Sequence, residues 1–213
     1  MKIDSTQEVM TPAMYELEQL KAAKLAAQQD NALSLLPNRI SLIVDTSGSM
    51  IHSFGTGSRS DAAATALRRI VAASNSKDTS YAILSYNSYS HVICPMGTGY
   101  AKLLATAFSP TGGTVLLPSL THALEQRSNR CILLSDGGIY DIYECFLLIE
   151  RTFVPNGIKI DTIAIGDAND DVMKRLAEMT GGVFRRANTP SELQDIFLSL
   201  EPKNYLLLEH HQP

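Results

Sequence analysis

The sequence has few cysteines, no long apolar run and no recognisable leader. Its three cysteines are odd in number and show no C-x-x-C spacing, and we interpret them as small buried hydrophobic residues in a reducing cytoplasm. No apolar stretch approaches the ~20 residues that cross a bilayer. Residues 1–8 lack the apolar core of a signal peptide. These absences predict a cytoplasmic protein without a membrane-spanning segment.

The chain also has little excess of either positive or negative charge. The formal net charge is −4, and Lys and Arg form no stripe of the kind that tracks a phosphate backbone. Nucleic acid is therefore not an expected partner. The 213 residues, of which 45% are hydrophobic and 19% charged, have an ordinary globular composition and are enough for one domain with a sizeable core.

Strand-like and helix-like segments alternate along most of the chain. The third strand follows the second after only four residues, which is too short for a parallel crossover, so this pair is expected to form an antiparallel hairpin at a sheet edge. The pattern predicts a doubly wound α/β fold: a mostly parallel six-stranded sheet with one antiparallel edge strand and helices on both faces. The strands are expected near residues 39–44, 81–86, 91–94, 130–134, 158–165 and 183–185.

Three regions are predicted from the order of these segments. Residues 1–37 form an N-terminal helical extension, with a helix from Thr11-Pro12 to Gln29 that either lies solvated on the surface or docks another protein. Residues 38–200 form the α/β domain, and residues 201–213 form a tail. Within the domain, a loop is expected at 52–60, followed by a helix that Ser60 caps and Asp61 begins, and a further helix is expected at 100–108.

The chemistry-bearing stretch begins where the first strand ends. An apolar, β-branched run stops at Asp45, and Ser47 and Ser49 follow at alternate positions around a glycine. Ligands of open α/β sheets bind at the carboxyl ends of strands. The three side chains offer hard oxygen and neither sulfur nor nitrogen, which favours Mg²⁺, Mn²⁺ or Ca²⁺ over zinc or copper.

Two more polar residues are expected at the same edge. Thr114 follows the adjacent glycines Gly112 and Gly113, and Asp136 follows the fourth predicted strand. In a doubly wound sheet the first and fourth strands are neighbours at the switch point, so these distant residues should meet in space.

Asp45-x-Ser47-x-Ser49, Thr114 and Asp136 together resemble the metal-ion-dependent adhesion site of von Willebrand factor A-type domains. The order of elements over residues 38–200 resembles that family as well, and so does the helix start Ser60-Asp61-Ala62-Ala63. The resemblance implies that Ser47 and Ser49 bind Mg²⁺ directly, that Thr114 binds directly or through water, and that Asp45 and Asp136 act mostly through water. One coordination position would then stay open to a carboxylate of a partner protein.

The resemblance also implies a biological setting. Intracellular members of the family commonly act beside AAA-type ATPases, chelatases or other multi-protein assemblies. The lack of a leader and of paired cysteines sets this chain apart from the adhesion-receptor branch. We therefore expect a cytoplasmic, non-enzymatic, Mg²⁺-dependent protein-binding module with an intact adhesion site of the intracellular bacterial type.

Several alternatives stay open at this point. Asp45, Ser47 and Ser49 are also compatible with a polar turn that binds no metal on a vestigial fold. Asp45 is also compatible with the nucleophile of a metal-dependent phosphatase, although Ser47 stands where such enzymes carry a second aspartate. A further acidic loop at Asp167, Asp170 and Asp171 predicts either a second cation site or, as we favour, carboxylates at a helix start.

Overall fold

The structure is a computed structural model that describes residues 38–73, 79–97 and 107–200. The helix predicted at residues 11–29, most of the helix predicted at 100–108 and the tail at 201–213 lie outside the described residues. The predicted domain limits therefore stay predictions.

The main sheet contains six strands: β1 (Asn38–Asp45), β4 (Thr79–Tyr86), β5 (Ser90–Cys94), β6 (Arg130–Ser135), β7 (Lys159–Ile165) and β8 (Phe184–Ala187). Two short strands, β2 (Ser53–Phe54) and β3 (Gly57–Ser58), pair separately. The order across the main sheet is β5-β4-β1-β6-β7-β8. All neighbouring strands in it are parallel except β4 and β5, which pair antiparallel at the edge. This confirms the predicted sheet, including the adjacency of the first and fourth predicted strands.

Helices cover both faces of the sheet because its central strands are apolar on both sides. The helices are α1 (Arg59–Ala73), α2 (Leu117–Glu125), α3 (Ile142–Leu148, continued by a π-helical turn at Ile149–Phe153), α4 (Asp170–Glu178) and α5 (Pro190–Ser199). One hydrophobic core packs α1 and α5 against one face of the sheet, and a second core packs α2, α3 and α4 against the other face.

The segment between β1 and α1 differs from the prediction. Instead of a loop, it holds a 3₁₀ turn (Gly48–Ile51) and a small antiparallel hairpin of β2 (Ser53–Phe54) and β3 (Gly57–Ser58). The prediction that Ser60 caps a helix beginning at Asp61 is wrong. The helix begins at Arg59 because Ser58 and Asp61 form a reciprocal pair, in which Ser58 Oγ accepts from Asp61 N and Asp61 Oδ2 accepts from Ser58 N, both at 3.0 Å.

The three cysteines, Cys94, Cys131 and Cys145, are buried, as predicted, and no disulfide bond joins any two of them. None of the helices in the described part of the chain has the length and hydropathy that crossing a bilayer requires.

Candidate metal-binding site

Asp45 lies at the end of β1 and is fully buried. Its Oδ1 accepts a hydrogen bond from Ser47 N at 2.8 Å, and its Oδ2 accepts one from Ser135 Oγ at 2.6 Å. The Tyr86 hydroxyl donates to the same Oδ2 at 3.4 Å. Burial nevertheless raises the pKa of Asp45 above its ordinary value, because desolvation outweighs these hydrogen bonds and nearby Asp136 adds repulsion. Among the described residues, Asp45 is thus a buried carboxylate that has hydroxyl donors but no cationic partner of its own.

Ser47 and Ser49 present two hydroxyls beside this carboxylate. Their Oγ atoms lie 3.1 Å apart, with Ser47 buried and Ser49 partly exposed at the start of the 3₁₀ turn. Adjacent oxygens around octahedral Mg²⁺ lie about 2.9 Å apart, given bond lengths of about 2.05 Å. The spacing of the two hydroxyls therefore fits neighbouring ligands of such an ion as well as a mutual hydrogen bond.

Backbone hydrogen bonds hold the Thr114 loop against the β1 loop. Gly48 N donates to Gly112 O at 3.1 Å, and Thr111 N donates to Thr46 O at 3.0 Å. Gly112 adopts a φ of +72°, which favours glycine at this turn. On the other side, Tyr140 N donates to Thr114 O at 2.9 Å. The buried Thr114 is therefore joined by backbone bonds to the loops that follow β1 and β6.

Asp136 directly follows β6 and is also buried. Its Oδ2 accepts from Arg59 Nη1 at 2.9 Å, and the side chains of both residues are less than a tenth exposed. The other guanidinium nitrogen, Nη2, donates to Asp167 Oδ2 at 3.0 Å, but the Asp167 side chain is 98% exposed. Arg59 is thus the cation that balances Asp136, and solvent screens its second partner.

The five predicted site residues all lie at one edge of the sheet, at the carboxyl ends of β1 and β6 and in the loop between β5 and α2. Hydrogen bonds join Asp45 to Ser47, Ser47 to Ser49, and the Thr114 loop to the turn after β1. Asp136 also has a buried ion pair with Arg59, which the sequence analysis did not predict.

The acidic loop after β7 does not gather its three carboxylates at one point. Asp167 pairs with Arg59, and Asp170 pairs with Arg186. The N-cap of α4 is Asn169, whose side chain accepts from Val172 N at 3.3 Å, with Asp170 and Asp171 in the first turn. This arrangement agrees with the favoured interpretation of carboxylates at a helix start.

Three residues of the site were missed in the sequence analysis: Arg59, Ser135 and Tyr86. Arg59 carried a usable signal, since a cation in the first turn of a helix opposes the dipole and needs a carboxylate nearby. Ser135 was visible only as a polar residue after an apolar strand. Tyr86 was counted as an ordinary strand end.

The donor set restricts the metals that could bind. Within the described residues, no three His, Cys, Asp or Glu side chains cluster in a way that could hold a metal ion. A cation at this edge would therefore depend on the hydroxyls of Ser47, Ser49 and Thr114 together with two carboxylates. Such all-oxygen donors, largely neutral, fit Mg²⁺ or Mn²⁺ and do not fit zinc or copper.

Comparison with known proteins agrees with this architecture. Residues 40–138 match the family model of the von Willebrand factor type A domain. The fold is that of a von Willebrand factor A-type domain. No curated protein sequence matches the chain.

Several solved structures share the fold at low sequence identity. The VWA domain of SpRpn10 has a TM-score of 0.65 at 15% identity, covering 78% of this chain and 96% of that one. An aerotolerance-related membrane protein from Bacteroides fragilis has a TM-score of 0.63 at 14% identity, covering 75% and 96%. A von Willebrand factor type A protein from Catenulispora acidiphila has a TM-score of 0.61 at 18% identity, covering 79% and 43%. These similarities establish the A-type fold and leave its ligands to be argued from the site.

Proposed function

We propose that this A-type domain is a Mg²⁺-dependent protein-binding module. Asp45, Ser47, Ser49, Thr114 and Asp136 would hold the ion, and a carboxylate of a partner protein would complete its shell. The observation that carries the proposal is the pair of Ser47 and Ser49 hydroxyls 3.1 Å apart, next in sequence to the buried Asp45, whose Oδ1 accepts from Ser47 N. A polar turn alone does not require a buried carboxylate beside it, nor a second buried carboxylate at the end of the neighbouring strand.

The charges around the site favour an anionic partner. Asp45 and Asp136 carry two negative charges and Arg59 one positive charge, so these buried groups sum to one negative charge. A divalent cation converts that sum to one positive charge, in a setting where burial limits screening. The neutral hydroxyls would leave most of the ion's charge available, and Asp167 is too exposed to cancel it.

Each residue has a separate task in this proposal. Ser47 and Ser49 would supply neutral oxygens directly, and Thr114 would do so directly or through water. Asp45 and Asp136 would mostly accept hydrogen bonds from water in the ion's shell, with Arg59 holding Asp136 in place. When bound, Mg²⁺ supplies a Lewis-acid centre that accepts a carboxylate oxygen.

The wider setting follows from the family resemblance rather than from any contact in the described residues. We propose an intracellular multi-protein assembly, with an AAA-type ATPase as one partner class. The cytoplasmic location and the absence of nucleic acid and membrane partners remain predictions as well.

The phosphatase alternative requires Asp45 to attack phosphorus. Such enzymes carry a second aspartate where this chain has Ser47, and a serine hydroxyl cannot replace that carboxyl group as the general acid for the leaving group. We therefore favour binding over catalysis, and p-nitrophenyl phosphate with Mg²⁺ discriminates the two: turnover that Asp45→Asn abolishes would overturn the choice.

Thermal unfolding tests the proposed metal. If Mg²⁺ binds only the folded protein, its presence at 100 times the dissociation constant raises the unfolding free energy by about 2.7 kcal/mol. The full chain should have a higher melting temperature in about 10–20 mM Mg²⁺, a concentration chosen to load even a weak site, than in EDTA. The double substitution Ser47→Ala/Ser49→Ala should remove the difference. The matched control is Ser199→Ala, in the last turn of α5, which should keep it. Identical curves for the unmodified chain would contradict the proposal.

A further inference from the structure

We propose that the site is framed by an apolar rim, formed by Ile51, Tyr89 and Tyr140, that binds apolar side chains next to the partner's acidic residue. The inference rests on the proposed function and narrows it to a class of partner: a protein loop in which an Asp or Glu has an aromatic or aliphatic neighbour.

The exposed large hydrophobic residues are unevenly placed. Among the described residues they are five: Ile51 (65% exposed), Tyr89 (72%), Tyr140 (75%), Tyr143 (68%) and Val154 (46%). The first three lie in segments that directly follow β1, β4 and β6, and Tyr143 lies in the first turn of α3 at the same edge. Val154 alone follows the π-helical turn that returns the chain to the opposite edge, before β7 begins. Single exposed apolar residues are common, but a grouping at one edge indicates a contact surface.

The two tyrosines lie beside the loop that carries Thr114. A Cβ atom placed on Gly113 would lie 2.8 Å from Tyr140 Cε2, so the Tyr140 ring packs on that glycine. Gly113 N also donates to Ser88 Oγ at 2.8 Å, and Tyr89 is the residue that follows Ser88. Both tyrosines are therefore next to residues that contact the glycine before a candidate metal ligand.

The backbone positions of these side chains are fixed. Tyr89 is held in its turn by Asn87, whose N donates to Tyr89 O and whose Oδ1 accepts from Tyr89 N, both at 2.9 Å. Ile51 ends the 3₁₀ turn, two residues after Ser49, and Met50 beside it is fully buried and anchors the turn. Fixed exposed side chains lose little backbone freedom on binding, which favours their use as anchors.

The nature of the occupant follows from charge and shape together. With a divalent ion, the buried groups carry one net positive charge, which a carboxylate complements. A free small anion would satisfy the ion and leave the exposed tyrosines uncovered. A polypeptide loop can bind the ion through its carboxylate and cover the tyrosines with its apolar side chains. Tyrosine suits such a contact because it offers apolar area and a hydroxyl with few rotatable bonds, and because it is enriched among the residues that dominate binding energy.

A displayed library of disulfide-closed random peptides tests the inference, with the full chain as bait in Mg²⁺ and elution by EDTA. We expect enriched peptides to carry Asp or Glu within two positions of an aromatic or aliphatic residue. The best peptide is then synthesised and titrated against variants of the full chain. Tyr89→Ser and Tyr140→Ser should each weaken binding at least tenfold, Tyr140→Phe should retain most of it, and the control Val154→Ser should leave it within twofold.

The outcomes separate the two proposals. Peptides that need Mg²⁺ and Ser47 but tolerate both tyrosine substitutions would overturn the apolar rim and leave the proposed function standing. Peptides that bind equally in EDTA and to Ser47→Ala, or that lack an acidic residue, would contradict the proposed function. A library that yields no Mg²⁺-dependent binder counts against both. Because Tyr89 and Tyr140 are exposed, melting temperatures close to that of the unmodified chain are expected and verify that the variants fold.

Discussion

Arg59 Nη1 donates to Asp136 Oδ2 at 2.9 Å, and this buried ion pair joins the start of α1 to the end of β6. The two residues are 77 positions apart in the sequence. Because β1 and β6 are neighbouring strands, Asp136 at the end of β6 lies near Asp45 at the end of β1. The ion pair with Arg59 holds the Asp136 side chain in place there. It also neutralises a charge that would otherwise be buried alone.

Removing this cation should destabilise the domain strongly. Arg59→Met keeps the apolar stem but leaves Asp136 buried without a partner, and breaking one side of a buried pair costs about 3–5 kcal/mol. Urea unfolding in EDTA measures the loss directly. The exposed Arg151 offers a matched control, since Arg151→Met should change the unfolding free energy by less than about 0.5 kcal/mol.

The double variant Arg59→Met/Asp136→Asn should recover part of that loss, since neither charge is then left alone. In a double-mutant cycle the two substitutions should show a coupling energy of at least about 1 kcal/mol. Purely additive effects would mean that the two side chains contribute independently, contrary to the observed contact.

The Arg59 guanidinium also packs against Gly166, which adopts a φ of +60°. A Cβ atom at Gly166 would lie 2.2 Å from Arg59 Cζ. Gly166→Ala should therefore cost about 1–2 kcal/mol for the left-handed backbone and about 1–3 kcal/mol more for displacing the guanidinium. Chemical denaturation of the purified variant gives the total.

Gly181 provides the matched control for this substitution. Its φ is +67°, but an added Cβ atom would meet nothing within 4 Å, so Gly181→Ala should show the backbone cost alone. In an Arg59→Ala background the excess cost of Gly166→Ala should disappear. Equal losses for Gly166→Ala and Gly181→Ala in the unmodified background would show that the guanidinium yields without cost.

The sequence was sufficient to predict the sheet and the location of the candidate site. Continuous apolar runs mark buried strands, and the short connection before β5 leaves only a hairpin, so a mostly parallel sheet with one antiparallel edge strand follows from local patterns and topology. The end of an apolar run also marks the strand end, which placed Asp45 and Asp136 on one edge. These conclusions depend on neighbours in sequence, where patterns are informative.

The partners of those residues could not be predicted in the same way. Arg59 contacts Asp136 and Asp167, which are 77 and 108 residues away, and nothing local distinguishes it from a surface arginine apart from its place at a helix start. The start of α1 was predicted two residues too late because the sequence offers two serines, Ser58 and Ser60, as possible caps. Only the reciprocal hydrogen bonds with Asp61 select Ser58. Tyr89 and Tyr140 stand in loops, where hydrophobic periodicity gives no indication of burial.

The final prediction concerns Asp45, whose pKa burial raises above its ordinary value of 3.8. A raised pKa means that the folded protein holds this proton more tightly than the unfolded chain does. Without metal, the contribution of Asp45 to stability is therefore most favourable below pH 3.8. This favourable contribution is lost as the pH rises through the pKa of Asp45 in the folded protein. Above that pKa, the folded protein bears the full cost of a buried charge.

Asp45→Asn removes this titration. In EDTA, the unfolding free energy of the variant relative to that of the unmodified chain should therefore rise from about pH 4, the ordinary pKa of a carboxyl group, to about pH 7. Urea midpoints at several pH values, compared between the two proteins, isolate Asp45 from the other carboxylates because those are shared. Mg²⁺ at pH 7 should stabilise the unmodified chain and not the variant, since only an ionised Asp45 supports the cation. A difference that stays constant across the pH range would mean that Asp45 is ionised as readily in the fold as in water, so that burial would impose no cost on its charge.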